Sequence, residues 1–87
     1  MSGDVVRPAV DEVVVYWRRG CLVCALLRRR LRRTGLTIVE RDIWADPDAA
    51  AFVRAHAGGN ETVPTVAVGG EVLVNPSLRH VLRAAAG

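Results

Sequence analysis

The segment "EVVVYWRRGCLVCALL", residues 12–27, contains both cysteines of the chain and an abrupt change from a β pattern to a helical one. Residues 12–17 are mostly β-branched or aromatic and carry little charge, which predicts a buried β-strand. The following "RRG" interrupts this pattern, and the residues from Cys21 to about Arg33 favour a helix. We therefore expect Cys21 to lie where a buried strand ends and a helix begins, with Cys24 one helical turn further along.

The rest of the chain carries boundary signals for further strands and helices. They are Gly35 as the end of the first helix, a β pattern over residues 36–43, a helix between Asp46-Pro47 and Gly58-Gly59, two short β runs around Gly69-Gly70, and a last helix that starts at Asn75-Pro76. Asp or Asn followed by Pro is typical of a helix start, with the first residue as N-cap and the proline as the first helical residue. A Gly-Gly pair between two β runs predicts a hairpin turn.

These elements follow the order β-α-β-α-β-β-α. A helix joins the first two strands, so those strands should be parallel with a right-handed crossover, whereas the last two should form an antiparallel hairpin. The sequence thus predicts an α/β fold with a four-stranded mixed sheet and three helices on both faces. The 87 residues suffice for one domain, which we expect to span residues 1–87, with residues 1–10 as a flexible N-terminal extension.

The composition gives no sign of a membrane or secreted protein. No stretch approaches the roughly 20 apolar residues needed to span a bilayer, and the start, "MSGDVVRPAV", does not resemble a signal peptide. We therefore expect a cytoplasmic protein without a membrane partner. Thiols are kept reduced in the cytoplasm, so a close cysteine pair there is more often catalytic or metal-binding than a structural disulfide.

The net charge is +3, and all 12 basic residues are arginines, of which five lie in "RRRLRR", residues 28–33. Such a run predicts either a nucleic-acid-binding patch or a solvated helix face whose charge lies near the helix C-terminus, where the dipole favours it. No aromatic residues interleave with these arginines as platforms for base stacking. We therefore favour the helix face and expect no nucleic-acid partner.

The expected position of Cys21 makes its thiol reactive. Backbone N–H groups at a helix N-terminus lack intrahelical partners and the dipole there is positive, so both favour a thiolate. Arg18 and Arg19 add positive charge nearby. A free thiol has a pKa of about 8.5, and such settings lower the pKa to about 3.5–7.5. Cys24 should be more buried, less ionised and close enough to attack a disulfide formed on Cys21.

Two other interpretations of the cysteine pair stay open. A structural zinc site needs four ligands, and the other candidates, His56 and His80, fall at the ends of two other predicted helices without a recognisable spacing, so we expect no metal. Inert buried thiols would suit Cys24 but not Cys21, which follows two arginines and a glycine. A C-x-x-C pair near a β-α-β pattern in a cytoplasmic protein is typical of a thioredoxin-like redox motif.

The segments "VVVYWRRGCLVC" and "NETVPTVAVGGEVLVNPS" resemble the glutaredoxin branch of the thioredoxin superfamily, and within it the actinobacterial mycoredoxins and mycoredoxin-like proteins. The resemblance covers essentially the whole chain. It implies a thioredoxin-like fold and a thiol–disulfide oxidoreductase that reduces mixed disulfides between proteins and low-molecular-weight thiols, and so acts in cell redox homeostasis. The implied reducing co-substrate is mycothiol, or glutathione in the wider family, with no tightly bound cofactor.

The same resemblance implies roles for individual residues. Cys21 is the attacking thiol, Cys24 can close an intramolecular disulfide, and Pro64 follows a cis peptide bond beside the nucleophile, where the backbone of Val63 pairs with the substrate. The substrate-binding residues implied for the small thiol are Arg18, Arg19, Thr62, Val63, Pro64, Asn75 and Ser77. The helix start at Asn75 either binds a polar or anionic group or serves only as a cap.

Three positions depart from the family pattern. Leu22-Val23 replaces the usual Pro-Tyr or Gly-Tyr between the cysteines, Gly20 stands where an aromatic residue is common, and Trp17 stands where a threonine is usual. The dipeptide tunes the stability of the thiolate and hence the redox potential, so the choice of substrate stays open. An apolar dipeptide can also form an exposed hydrophobic lip that docks a protein partner.

These departures leave other functions open. The chain is alternatively a dithiol electron carrier recharged by thioredoxin reductase, an iron–sulfur-binding module, or a regulatory protein that senses oxidation. The expected partners are oxidised or S-thiolated proteins, a low-molecular-weight thiol and, for the carrier, a disulfide reductase. We expect the protein to be a monomer.

Overall fold

The structure is a computed structural model that describes residues 12–86. Within this range the chain forms, in order, β1 (Glu12–Trp17), α1 (Leu22–Leu31), β2 (Thr37–Asp42), α2 (Pro47–His56), β3 (Thr65–Val68), β4 (Glu71–Val74) and α3 (Leu78–Ala85). The β-α-β-α-β-β-α order predicted from the sequence is confirmed. The extension expected over residues 1–10 lies outside the described residues, and the assignment of residues 1–87 to one domain stays a prediction.

The strands form a mixed sheet in the order β2-β1-β3-β4. β1 pairs in parallel with β2 and antiparallel with β3, and β3 pairs antiparallel with β4. The hairpin between β3 and β4 turns at Gly69, whose φ of 60° is a left-handed conformation that glycine adopts without steric cost. The predicted mixed sheet, with a parallel pair joined by a helix and an antiparallel hairpin, is confirmed.

Side chains alternate between the two faces of β1, and helices cover both faces. On one face Val13 and Val15 pack against Leu31 of α1 and Val81 of α3, and all four side chains are fully buried. On the other face Tyr16 belongs to a second core with residues of α2. Each fully buried aliphatic side chain stabilises the fold by about 1.5–3 kcal/mol, so these two cores hold the helices on the sheet. The prediction of three helices on both faces is confirmed.

The first helix and the second strand are shorter than predicted. The helix expected to reach Arg33 ends at Leu31, because Thr34 donates through its backbone N–H and its Oγ1 to the carbonyl of Leu31, at 3.0 and 2.6 Å. Gly35, the expected helix end, lies beyond this turn with a φ of 84°. The strand expected over residues 36–43 loses one residue at each end.

The last helix begins later than predicted. Asn75 is not its N-cap: Asn75 has a φ of 54°, and the N-cap is Ser77, whose Oγ accepts a hydrogen bond from the N–H of His80 at 3.2 Å. The left-handed backbone at Asn75 turns the chain after β4, so helical backbone starts only after Pro76 and Ser77. The equivalent prediction for α2 is confirmed, since Asp46 is its N-cap and a proline follows.

The arginine run of α1 is a solvated face only in part. Arg28 and Arg32 both form ion pairs with Glu40 of β2, at 2.9 and 2.7 Å. The guanidinium of Arg28 also lies 3.8 Å from the centroid of the Trp17 ring. The cluster of Trp17, Arg28, Arg32 and Glu40 therefore ties the C-terminal half of α1 to β1 and β2, while the other arginines of the run are exposed.

Candidate active site

The loops that surround the cysteine pair meet at one edge of the sheet. β1, β2 and β4 run in the same direction and β3 runs in the opposite one, so the C-terminal ends of three strands and the N-terminal end of β3 share this edge. The strand register shows that these ends are level with one another. Trp17 and Asp42, the last residues of β1 and β2, are paired, and so are Thr65, the first residue of β3, and Val74, the last of β4. The loop that carries Cys21 follows β1 and is therefore flanked by the loop after β2 and the loop before β3.

Cys21 lies at the junction between this loop and α1. It is the N-cap of the helix, and its Sγ accepts a hydrogen bond from the backbone N–H of Cys24 at 3.1 Å. Gly20 precedes it with a φ of 86°, a conformation that a residue with a side chain would adopt only under strain. The sulfur of Cys21 therefore sits at the start of the helix, as the sequence pattern predicts.

The surroundings of the two sulfurs differ. Cys21 is partly exposed, whereas Cys24 is fully buried on the face of α1 that packs on the sheet. The first turn of α1 contains no acidic residue, so nothing there opposes the positive end of the helix dipole. In the reduced protein the N–H of Cys24 and the dipole both favour the thiolate of Cys21, which is the nucleophilic form.

Cys21 and Cys24 are joined by a disulfide in the structure, and their Cα atoms lie 5.2 Å apart. This separation is ordinary for a disulfide, so the helical turn between the two residues brings the sulfurs within bonding reach. The pair is therefore able to cycle between a dithiol and an intramolecular disulfide. The interpretation as two inert thiols does not fit this arrangement.

The loop before β3 lies beside the redox pair and is firmly held. The Val63–Pro64 peptide bond is cis, the isomer that the family resemblance implies. The carbonyl of Pro64 accepts a hydrogen bond from the N–H of Asn75 at 2.8 Å, and the buried Thr65 donates through Oγ1 to the carbonyl of Thr62 at 2.7 Å. Thr62, Val63, Pro64 and Asn75 are thus brought together at the sheet edge that also carries Cys21.

A shallow apolar groove runs between the start of α1 and the start of α3. It has a volume of about 200 Å³ and is lined by Val23, Leu26, Leu27, Arg30, Pro76, Ser77 and Leu78. Ser77 is the one predicted binding residue in this lining. Leu22 and Val23 are 81% and 58% exposed, so the dipeptide between the cysteines presents an apolar surface directly beside Cys21.

Arg18 and Arg19 lie on the side of the Cys21 loop that faces β2. The guanidinium of Arg18 is 5.2 Å from the centroid of the Trp44 ring, and Arg19 lines a cleft with Asp42 and Trp44. The loop before β3, with Thr62 and its neighbours, lies on the opposite side of β1 in the sheet order. The structure therefore divides the predicted binding residues between two sides of Cys21.

The described residues offer no metal centre. Within residues 12–86 there is no group of three or more His, Cys, Asp or Glu side chains that could hold an ion. His56 is engaged elsewhere, since its Nδ1 lies 2.9 Å from the carbonyl oxygen of Phe52 and its ring packs on that of Phe52. No helix in this range has the length and apolar character needed to cross a membrane.

Residues 13–73 match the glutaredoxin family model. The chain belongs to the glutaredoxin family. A relative in Mycobacterium tuberculosis, "Putative glutaredoxin Rv3198A", is 37% identical over 70 residues, which cover 79% of this chain and 83% of the relative. The glutaredoxin identity and the Cys21–Cys24 pair together make this protein a thiol–disulfide oxidoreductase.

Solved structures show the same fold. A glutaredoxin from Archaeoglobus fulgidus superposes with a TM-score of 0.74 at 18% identity, over 90% of this chain and 88% of that chain. The thioredoxin-like protein BC3987 superposes with a TM-score of 0.73 at 21% identity, over 83% of this chain and 97% of that chain. The thioredoxin-like fold that the resemblance implies is confirmed by these superpositions.

Sequence reasoning missed several residues around the glutaredoxin site. Trp44, which is 63% exposed, and Asp42 form a cleft beside Arg19, and the hydroxyl of Thr65 fastens the loop before β3. Trp17 attracts notice in the sequence only as a departure from the family pattern, but nothing there indicates that it packs on Arg28. The sequence carries little signal for the contacts of Arg19 with Trp44 and of Trp17 with Arg28, because each joins residues from different elements.

Proposed function

We propose that this glutaredoxin reduces mixed disulfides between proteins and mycothiol, with Cys21 as the nucleophile. The observation that carries the proposal is the partly exposed Sγ of Cys21, which accepts the N–H of Cys24 at the start of α1. Glutaredoxins act with glutathione-like small thiols on thiolated or disulfide-bonded proteins. The resemblance to mycoredoxins and the similarity to the mycobacterial relative support mycothiol as the small thiol here.

The first step forms a mixed disulfide on the enzyme. The Cys21 thiolate attacks the mycothiol sulfur of the protein–mycothiol disulfide, so the bond from Cys21 to mycothiol forms as the original disulfide breaks. The protein cysteine leaves as a thiolate and takes a proton from solvent. The Val63 backbone, next to the cis bond at Pro64, pairs with the substrate during the attack. We assign binding of the small thiol to the predicted residues around Cys21, namely Arg18, Arg19, Thr62, Asn75 and Ser77.

The second step returns Cys21 to its reduced form by one of two routes. In the first, the thiolate of a second mycothiol attacks the mycothiol sulfur bound to Cys21, which releases mycothiol disulfide and the Cys21 thiolate. In the second, Cys24 loses its proton and attacks the sulfur of Cys21, which releases mycothiol and leaves the intramolecular disulfide. Two further mycothiol molecules then reduce that disulfide and become mycothiol disulfide. Full burial of Cys24 favours the first route during turnover.

The proposal places the protein in the cytoplasm as a monomer. Small thiols are kept reduced in that compartment, which the second step requires. Its partners are then S-thiolated proteins, the small thiol itself and the reductase that recycles the oxidised small thiol. No tightly bound cofactor takes part in either step.

Coupled NADPH consumption tests the proposal. The purified protein is assayed with a mycothiolated protein substrate and three reducing systems: mycothiol with its disulfide reductase, glutathione with glutathione reductase, and thioredoxin reductase alone. We expect the fastest turnover with the mycothiol system. An equal or faster rate with glutathione would contradict the choice of small thiol.

Two matched serine variants separate the roles of the cysteines. Cys21→Ser removes the nucleophile and should lower turnover by about a thousandfold or more. Cys24→Ser keeps the backbone N–H that donates to Cys21 and should retain turnover of the mixed disulfide. Wild-type rates in both variants would exclude Cys21 as the nucleophile.

The apolar surface beside Cys21 favours a second candidate, a dithiol electron carrier recharged by thioredoxin reductase. Leu22, Val23 and Leu26 are all more than half exposed, and such a surface suits docking of a protein disulfide or of a reductase. In this case the electrons pass through both sulfurs, so Cys24→Ser would abolish turnover as completely as Cys21→Ser. NADPH consumption with thioredoxin reductase alone would then exceed that with the mycothiol system.

A further inference from the structure

The loop after β2 forms a second cleft close to the redox pair. It has a volume of about 260 Å³ and is lined by Arg19, Asp42, Trp44 and Ala45. Trp44 is 63% exposed, so its ring is available to a ligand. The cleft combines an aromatic ring, a guanidinium and a carboxylate within one small concave surface.

Hydrogen bonds hold the backbone at Trp44, and a cation lies near its ring. The backbone N–H of Trp44 donates to Oδ1 of Asp42 at 2.9 Å, and the N–H groups of Ala45 and Asp46 donate to the carbonyl of Asp42 at 3.2 and 3.0 Å. The guanidinium of Arg18 lies 5.2 Å from the ring centroid. The backbone that carries the ring is thus fixed in a turn and one cation lies near the ring, which reduces the freedom that a ligand would have to remove on binding.

The cleft is within reach of the nucleophile. Arg19 lies two positions before Cys21, and the carbonyl of Arg18 accepts the N–H of Cys21 at 3.4 Å. Trp17 and Asp42 are paired at the ends of the parallel strands β1 and β2, so the cleft and the Cys21 loop share the same sheet edge. A small thiol whose sulfur contacts Cys21 can therefore extend its remaining atoms over Trp44.

We propose that the cleft of Arg19, Asp42 and Trp44 binds the polyhydroxylated part of the small thiol. Mycothiol consists of N-acetylcysteine attached to an amino sugar and an inositol, whose C–H faces pack on an aromatic ring. The hydroxyl groups of the amino sugar and the inositol both donate and accept hydrogen bonds. They therefore match the acceptor oxygens of Asp42 and the donors of Arg19. Donors and acceptors side by side suit an uncharged polyol, whereas glutathione has neither hydroxyl groups nor a ring to pack on Trp44.

This inference rests on the proposed function, because it names the part of mycothiol that gives the site its selectivity. It assigns sugar recognition to the β2 side of Cys21 and leaves the sulfur and the acetylcysteine backbone to the Val63–Pro64 side. A thiol that lacks the sugar rings should then gain nothing from Trp44.

The test compares two mixed disulfides of one peptide, the first with mycothiol and the second with the amide of N-acetylcysteine, which keeps the uncharged amide of mycothiol but lacks its rings. Steady-state constants are measured for the wild type, Trp44→Ala, Arg19→Gln and the control Leu82→Ala, an exposed apolar residue on α3. We expect Trp44→Ala to raise KM for the mycothiol disulfide by about tenfold with kcat unchanged. The same variant should leave KM for the disulfide of N-acetylcysteine amide unchanged, and Leu82→Ala should change KM for neither substrate.

The outcomes separate the cleft from the proposed function. Wild-type turnover of the mycothiol substrate with an unchanged KM in Trp44→Ala and Arg19→Gln would overturn the cleft assignment alone. Equal loss on both substrates would also overturn it, since that pattern indicates general damage to the loop. A wild-type protein that does not turn over the mycothiol substrate would overturn the proposed function and the cleft together. If Trp44→Ala does not fold, Arg19→Gln decides the question by the same comparison of the two KM values.

Discussion

Cys21 and Cys24 are chemically identical residues with different environments. They lie three residues apart at the start of α1, and this separation alone changes their exposure and hydrogen bonding. Cys21 precedes the first helical residue, so its sulfur accepts a backbone N–H that the helix leaves unpaired. Cys24 lies inside the first turn and faces the sheet, where it is fully buried. The start of α1 therefore gives the two sulfurs different exposure and different hydrogen bonding, which supports the roles proposed for them as nucleophile and resolving thiol.

Tyr16 gives a prediction at the scale of one residue. Burial raises the pKa of the Tyr16 phenol above its ordinary value of 10.0, with Asp46 adding to the increase and Arg41 opposing it. The folded state therefore keeps the phenolic proton at a pH where the unfolded chain loses it. The stabilisation from Tyr16 is complete below pH 10.0 and is lost as the pH rises through the folded-state pKa.

The Tyr16 prediction is measurable because the chain contains a single tyrosine. The ultraviolet absorbance of tyrosinate should titrate above pH 10.0 in the native protein and near its ordinary value in denaturant. Tyr16→Phe should abolish the signal altogether. A native titration at or below the ordinary value would show that the ring, which stacks on Phe52, is not buried as described.

At the scale of elements, α1 is fixed at both ends by different means. Its start is held by the turn through Gly20 and the Cys21 cap, and its end by Glu40, which binds Arg28 and Arg32. Arg28 is only 18% exposed, so its ion pair is better shielded from water than a surface pair. Arg28 also covers the ring of Trp17, which links this anchor to the end of β1.

Glu40→Gln tests this anchor. It removes the negative charge between two arginines and should lower the free energy of unfolding by about 1–2 kcal/mol, measured by urea denaturation. The matched control is Glu61→Gln, which breaks the exposed pair with Arg54 and should cost less than about 1 kcal/mol. Equal losses in the two variants would mean that the cluster on α1 adds nothing beyond an ordinary surface pair.

The sequence predicts an element correctly where residues within that element or at its boundary determine it. The β-branched run of residues 12–17 and the Asp46-Pro47 start of α2 needed no information from elsewhere in the chain, and both match the structure. The Asn75 prediction is wrong because that residue adopts a left-handed backbone and donates its N–H to the carbonyl of Pro64, a contact that forms only when β3 and β4 pair.

At the scale of the whole molecule, the strand directions assemble the site. The parallel pair and the antiparallel hairpin bring four strand ends to one edge, so the Cys21 loop lies between the Val63–Pro64 loop and the Trp44 loop. Spacing along the sequence does not indicate which side of Cys21 each loop occupies, since that depends on the sheet order. This is why the cysteine pair could be predicted, whereas the cleft at Trp44 could not.

The proposed function requires that the N-terminus of α1 hold Cys21 as a reactive thiolate. The direct test is the rate of alkylation of reduced Cys24→Ser protein across pH, in which Cys21 is the remaining cysteine and the N–H at position 24 is kept. We predict that the rate reaches half its plateau well below the ordinary thiol pKa of about 8.5, and that the shift disappears in denaturant. A folded-state midpoint at or above that ordinary pKa would contradict the account.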